Sequence, residues 1–138
     1  MIKRLMTFLV CAVALAGCTT VSQLDAASKN RITFVIDGHN FDDIWDAAHR
    51  ALTDDLKIVA ENRISGYIKA TSEADVATFS AGEAVGIFIS LMDEKSSRYW
   101  IAVVSEPLYQ PVYISRDWHL GVAKRMKSAL GEPSGPAG

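Results

Sequence analysis

Cysteine is almost missing from this chain: two of its 138 residues are cysteine, and both Cys11 and Cys18 lie near the N-terminus. The remainder has no thiol for a disulfide, so a core formed there must be held by packing alone. The chain also lacks a basic excess, a phosphate-binding glycine loop, a dinucleotide fingerprint and zinc-ligand spacing. We therefore expect no nucleic-acid partner, no cofactor and no metal.

The first seventeen residues have the three parts of an export signal. Lys3 and Arg4 supply the positive end, residues 6–15 are almost wholly apolar, and small residues precede position 18. This apolar run is much shorter than the ~20 residues of a membrane-spanning helix, so we predict a removable signal peptide over 1–17. Its removal leaves 14 − 2 = 12 basic residues against 16 acidic ones, a net charge of −4.

The sequence Leu15-Ala16-Gly17-Cys18 resembles the lipobox of bacterial lipoproteins. The resemblance implies cleavage after Gly17, a diacylglyceryl thioether on Cys18 and acylation of the new N-terminus. Thr19 stands where an aspartate would imply retention in the inner membrane, so we expect anchoring in the outer membrane, facing the periplasm, with the inner membrane as the alternative. Several acyl chains would bind the protein firmly to the membrane, because each methylene buried in the bilayer contributes about 0.8 kcal/mol to the binding.

Polar, unpatterned composition separates this anchor from the rest of the chain. We predict that residues 18–30 comprise the lipidated Cys18 and a flexible tether with a reach of about 20 Å. A single periplasmic domain is predicted over 31–131, and the Pro/Gly-rich residues 132–138 are predicted to be a disordered tail.

Hydrophobic periodicity within the domain predicts the order β-α-β-β-β-β-α. The predicted elements are a strand over 31–36, a helix from Phe41 to Thr53 capped by Asn40, strands over 57–61, 65–71, 83–92 and 98–105, and a last helix that begins near Ser115 or Asp117 and stops at Gly131. The prolines in 106–114 argue against a central strand there. We expect an α+β two-layer sandwich, with a mainly antiparallel sheet of four to five strands and two helices on one face.

Three motifs resemble a group of small exported lipoproteins whose role is uncharacterised. They are the run 56–70, Ser80-Ala-Gly82-Glu83, and Arg116-Asp117-Trp118 at the start of the last helix. The resemblance covers most of 32–130. It implies a location and a fold, and it implies no active site.

Polar candidates for chemistry have simpler structural explanations. The run Asp37-Gly38-His39-Asn40 lacks calcium-loop spacing and fits a turn followed by a helix cap. Asp42, Asp46 and His49 share one helix face, as side chains on any solvated helix do. His119 has no visible nucleophile or acid in the sequence around it, and no nucleophile-elbow motif surrounds any of Ser72, Ser80, Ser90 and Ser105. We predict no catalytic residue and no enzyme activity.

The hairpin 83–105 departs from the alternation expected of a sheet covered on one side. Both of its faces are largely apolar, and two helices can cover only one of them. The predicted uncovered row, our candidate binding face, consists of Phe88, Met92, Trp100 and Val104, with Tyr67 at its margin. The sequence leaves open which face of 98–105 is core, because both rows would suit one.

These expectations favour a non-catalytic, membrane-anchored lipoprotein that acts as a periplasmic binding or envelope-assembly subunit. Its partners would be the membrane, through the lipid on Cys18, and an envelope protein or a second copy of the chain. The alternatives are a carrier or sensor of a small apolar ligand and, third, a hydrolase. A partner surface would be flat and open, whereas a carrier needs an enclosed pocket.

Overall fold

A computed structural model describes residues 21–73, 82–108 and 117–133 of the chain. In these ranges the chain forms a short 3-10 helix at Val21–Gln23, then β1 (Arg31–Ile36), α1 (Phe41–Thr53), β2 (Lys57–Asn62), β3 (Tyr67–Thr71), β4 (Glu83–Asp93), β5 (Arg98–Pro107) and α2 (Trp118–Ala129). The strands make one antiparallel sheet in the order β1-β5-β4-β3-β2. Both helices pack on the same face of it. The predicted α+β two-layer sandwich is confirmed.

Helix α1 begins where its capping residue predicts. The backbone N–H of Asp43 donates to Oδ1 of Asn40 at 2.8 Å, and the acidic side chains of Asp42 and Asp43 suit the positive end of the helix dipole. The helix carries the chain across the sheet, because β1 and β2 lie at opposite edges. The predicted start and cap of this helix are confirmed.

One apolar core lies between the helices and the sheet. The sheet contributes its buried row of Ile68, Ala70, Val85, Ile87, Ile89, Ile101 and Val103, and the helices contribute Ile44, Trp45, Ala48, Leu52, Val122, Ala123 and Met126. Trp45 is buried in this core and Trp118 is half-buried against it. The apolar stripes predicted for the two helices therefore meet the same sheet face.

The turn between β2 and β3 is longer than the sequence suggests, and β3 begins at Tyr67 rather than at residue 65. Oδ1 of Asn62 accepts from the N–H of Ser65 at 2.9 Å, and Gly66 closes the turn with a φ of 73°, a left-handed conformation that favours glycine. Ile64 lies at the tip, fully exposed. It belongs to the turn and not to the strand, because β3 begins three residues later.

The C-terminal helix stops as predicted. Gly131 adopts a φ of 71°, and its N–H donates to the Ser128 carbonyl while the N–H of Glu132 donates to the Lys127 carbonyl. These two bonds form a Schellman motif, which satisfies carbonyls left free by the last turn. The predicted tail lies outside the described residues from position 134 onward.

Strand β5 continues to Pro107, two residues beyond its predicted end. Pro107 pairs with Glu83 at the very end of the β4–β5 ladder, where a missing N–H interrupts little. The predictions for residues 109–114, for Ser80 and for a helix start at Ser115 lie outside the described residues. So do the signal peptide, Cys18 and Arg116.

The described residues nearest the predicted anchor include one apolar side chain that is packed on the sheet. Leu24 is 1% exposed and contacts the sheet on the face opposite the helices, together with Val21. We call Val21–Leu24 the N-terminal segment. The predicted flexible tether over 18–30 does not hold for Val21–Leu24, because the apolar side chain of Leu24 packs into a recess in the sheet. Within the described ranges, neither helix is long and apolar enough to cross a membrane.

Candidate functional site

The sheet face opposite the helices, which we call the second face, gathers the aromatic residues of three strands. Phe88 of β4 lies directly opposite Tyr67 of β3, and Trp100 of β5 lies directly opposite Val35 of β1. Directly opposed residues of antiparallel strands project from the same face. Phe88 is also paired with Ala102, two residues along from Trp100, so all four side chains lie on one side of the sheet.

This register resolves which side of β5 is core. Ile101 and Val103 point toward the helices and are fully buried there, whereas Trp100, Ala102 and Val104 belong to the second face. The predicted grouping of Phe88, Trp100, Val104 and Tyr67 on one face is therefore correct. Met92 lies in a β-bulge near the hairpin turn, where it is 56% exposed.

The N-terminal segment covers one end of the second face. Leu24 packs against Ala84 and Val104, and Gly86 provides the recess, since a methyl group there would come within 2.8 Å of Cδ2 of Leu24. Val104 is consequently fully buried. Its predicted role as part of an uncovered row is wrong, because the chain's own N-terminal segment occupies that place.

Beyond this segment the second face remains partly open. Tyr67, Phe88 and Trp100 are each half-buried, and Val35 is 45% exposed. The rings of Tyr67 and Phe88 are 6.4 Å apart, and Nζ of Lys69 lies 5.1 Å from the first ring centre and 5.9 Å from the second. A cation placed over aromatic rings is attracted by their quadrupoles. We call Val35, Tyr67, Phe88 and Trp100 the open strip.

A groove of about 450 Å³ borders the open strip, between the N-terminal segment and strands β2 and β3. It is lined by Val21, Ser22, Val59, Ala60, Tyr67 and Lys69. The groove is partly open to solvent rather than fully enclosed. The arrangement can therefore bind an extended apolar surface more readily than it can enclose a small molecule.

The polar residues singled out in the sequence have structural partners. Asp37 pairs with Arg98 across 2.6 Å, and His49 pairs with Glu61 across 2.8 Å. Asp42 pairs with Arg63, whose guanidinium also lies over the rings of Phe41 and Trp45. In the described parts of the chain, no group of three or more His, Cys, Asp or Glu side chains is placed to hold a metal ion.

One buried polar pair was not foreseen from the sequence. Oγ of Ser105 in β5 lies 2.7 Å from Nδ1 of His119 in α2, and both side chains are buried. Burial lowers the pKa of the His119 imidazole below its usual value, although the nearby Asp117 carboxylate acts in the opposite direction. The spacing of His119, Val122 and Met126 along one stripe of α2 was the available signal for an inward-facing histidine.

Comparisons with known proteins give no family assignment. The chain matches no protein-family model, and no characterised protein is significantly similar to it.

Proposed function

We propose that this chain is a lipid-anchored, non-catalytic subunit of the bacterial envelope that binds through the open strip. In this proposal the precursor is cut before Cys18, the cysteine carries the lipid, and the domain faces the periplasm from the outer membrane. The lipobox-like run Leu15-Ala16-Gly17-Cys18 behind a charged and apolar leader supports the anchoring. The open strip supports the binding.

The observation that carries the proposal is that three aromatic side chains on one sheet face, Tyr67, Phe88 and Trp100, are only partly buried. The helices cover the other face, and within the described ranges the N-terminal segment covers the end of the second face near Ala84 and Val104, where one side of Phe88 also packs. Burying a patch of a few hundred Å² would contribute several kcal/mol, at about 25 cal/mol per Å². Aromatic side chains are also the residues enriched at protein contacts.

Anchoring makes such a modest surface effective. Association in solution costs several kcal/mol of translational and rotational freedom, which can exceed what a small apolar patch returns. An anchored domain has already lost much of that freedom, because the anchor keeps it at a high effective concentration beside partners in the same membrane. A patch the size of the open strip therefore suits a protein that is held beside its partner.

The two alternative functions have weaker support. A carrier of a small apolar ligand would use the groove beside Tyr67 and Lys69, but that groove is partly open to solvent and does not enclose a ligand on all sides. A hydrolase would use Ser105 and His119, but a nucleophile must be open to substrate, and both of these side chains are buried. We assign that pair to the packing of α2 on the sheet.

The anchor is tested by replacing Cys18 with Ser and fractionating cell membranes by density. We expect the parent protein in the outer-membrane fraction and the variant as an unprocessed precursor or a soluble periplasmic form. Normal processing of the variant, together with unchanged sedimentation with the outer membrane, would show that the lipoprotein interpretation is wrong.

The binding surface is tested by placing a photoreactive phenylalanine analogue at Ser90, which is exposed beside Trp100 on the second face. The control position is Asp46, exposed on α1. In intact membranes we expect adducts, to protein or to lipid, from position 90 and not from position 46. The double change Phe88→Ser with Trp100→Ser should remove those adducts.

Because Phe88 also packs beside Leu24, the single change Trp100→Ser serves as a milder second variant. Thermal unfolding is measured for each form, so that loss of the fold is separated from loss of binding. Unchanged adducts from position 90 in a folded double variant would refute the assignment of the open strip as the binding surface.

A further inference from the structure

The described part of the chain begins at Val21, three residues after the predicted anchor at Cys18. Three peptide links join Cys18 to Val21, so their Cα atoms are at most about 11 Å apart. Val21 packs on the second face beside the cluster of Leu24, Ala84 and Val104. A lipid on Cys18 would therefore be attached on the side of the sheet that carries the open strip.

The N-terminal segment is held to the sheet by several contacts, which makes this orientation persistent. Leu24 fills the recess above Gly86, and Nζ of Lys69 donates to the Ser22 carbonyl at 3.5 Å. Farther along, the Asn30 carbonyl accepts from the N–H of Ser105 at 3.0 Å. These contacts hold the chain to the sheet at Ser22, at Leu24 and again at Asn30, just before β1.

The charge on the second face differs from the charge on the chain as a whole. Among the strand residues that the structure describes, its paired positions carry four basic and two acidic side chains: Arg31, Lys57, Lys69, Arg98, Asp93 and Glu106. Arg98 is in turn paired with Asp37. The mature chain carries 12 basic and 16 acidic residues, so the second face is the side less repelled by anionic lipid headgroups.

We infer that the open strip lies against the phospholipid surface of the membrane that carries the anchor, an inference that rests on the lipidation of Cys18 proposed above. Tyrosine, tryptophan and lysine are the residues that membrane interfaces favour, because each has an apolar body and a polar end. The open strip combines Tyr67 and Trp100 with the neighbouring Lys69. The binding partner of the strip is then the bilayer interface rather than another protein.

The short link between anchor and sheet favours lipid over a protein partner. At full extension the three links from Cys18 to Val21 span about the diameter of a single α-helix. A folded partner placed between the second face and the headgroups would need more room than this. Lipid headgroups, by contrast, can adapt to the strip without a gap.

The test uses the mature lipidated protein in vesicles of phosphatidylethanolamine and phosphatidylglycerol. The lipid blocks Cys18, and Cys11 is removed with the signal peptide, so one introduced cysteine is the only free thiol. Val35→Cys and Ser90→Cys place an environment-sensitive fluorophore on the second face, and Asp46→Cys places it on α1 as the matched control. Lipids that carry a nitroxide are then added as quenchers.

We expect a blue shift of emission and quenching by the nitroxide lipids at positions 35 and 90, with neither change at position 46. The same labels on the Cys18→Ser form should report water and should not float with the vesicles. A blue shift without lipid quenching would show that a second copy covers the strip, and it would overturn the inference. Water-like emission from protein that floats with the vesicles would overturn it as well, while leaving the anchor intact.

Failure of the protein to float with vesicles at all would contradict the proposed lipid anchor, and with it the inference. This outcome differs from the two above, because it concerns attachment rather than the orientation of an attached domain. The flotation measurement and the fluorescence measurement therefore separate the two proposals.

Discussion

Leu24 provides the sharpest test of how the N-terminal segment is held. Its side chain is 1% exposed and packs against Ala84 and Val104 in the recess over Gly86. Replacing a buried leucine with alanine in a core costs roughly 2–5 kcal/mol. We expect Leu24→Ala to cost about 2–3 kcal/mol, toward the lower end of this range, because Leu24 packs in a small cluster apart from the main core.

The free energy of unfolding of the mature protein is measured by urea titration, with limited trypsin digestion in parallel. A small domain has a stability of about 5–15 kcal/mol, so a change of this size is readily measured. Detachment should also accelerate cleavage after Lys29, which follows the segment. The control is Val35→Ala, a truncation at an exposed position of the same face, for which we expect a loss below about 1 kcal/mol.

A Leu24→Ala protein with a stability within about 0.5 kcal/mol of the parent and an unchanged trypsin pattern would refute this reasoning. It would show that the segment contributes nothing to the fold. The proposed orientation of the anchor would then lose its structural basis, because a freely moving segment could place the lipid on any side of the domain.

Gly66→Ala should destabilise the protein by at least about 2 kcal/mol in urea titration, because Gly66 has a positive φ and an added methyl would clash with the Ile89 carbonyl. In the matched change Gly121→Ala in α2, the added methyl meets open space, so we expect the protein to gain about 0.5–1 kcal/mol of stability. Equal effects of the two changes would contradict the claim that Gly66 is required by its backbone conformation and its contact with Ile89. Because burial lowers the folded-state pKa of His119, stability should be complete above its unfolded pKa of about 6.5 and should fall as the pH drops through and below that value. Urea titrations between pH 8 and pH 5 should show this slope in the parent and lose that component in His119→Gln, and identical slopes would refute the prediction.

The helices and the hairpin were predictable because their patterns are strong. In α1, a capping asparagine precedes apolar residues at helical spacing, and local preference and tertiary packing agree there. The β2–β3 turn was harder to place. The length of this turn depends on the left-handed conformation of Gly66 and on the hydrogen bond that the Asn62 side chain accepts from the N–H of Ser65. Without knowledge of that turn, the apolar Ile64 resembles a strand residue.

The candidate site was predictable in its composition and only partly in its exposure. The grouping of Tyr67, Phe88 and Trp100 follows from alternation along each strand once the register is fixed. The burial of Val104 could not be read in the same way. Val104 is buried by Leu24, which lies eighty residues earlier in a polar run and packs in the space left by the missing side chain of Gly86. Sequence periodicity reports local faces and not contacts between residues so far apart in the chain.

The position of β1 at the far edge of the sheet has a consequence for when the domain can fold. Its partner in the sheet is β5, and Arg31 pairs with Val104, so the two strands meet only after most of the domain has been synthesised. Closing so long a loop is entropically costly and slows folding. A growing chain that ends before Arg98 therefore cannot complete this sheet, because β5, which joins β1 to β4, is still missing.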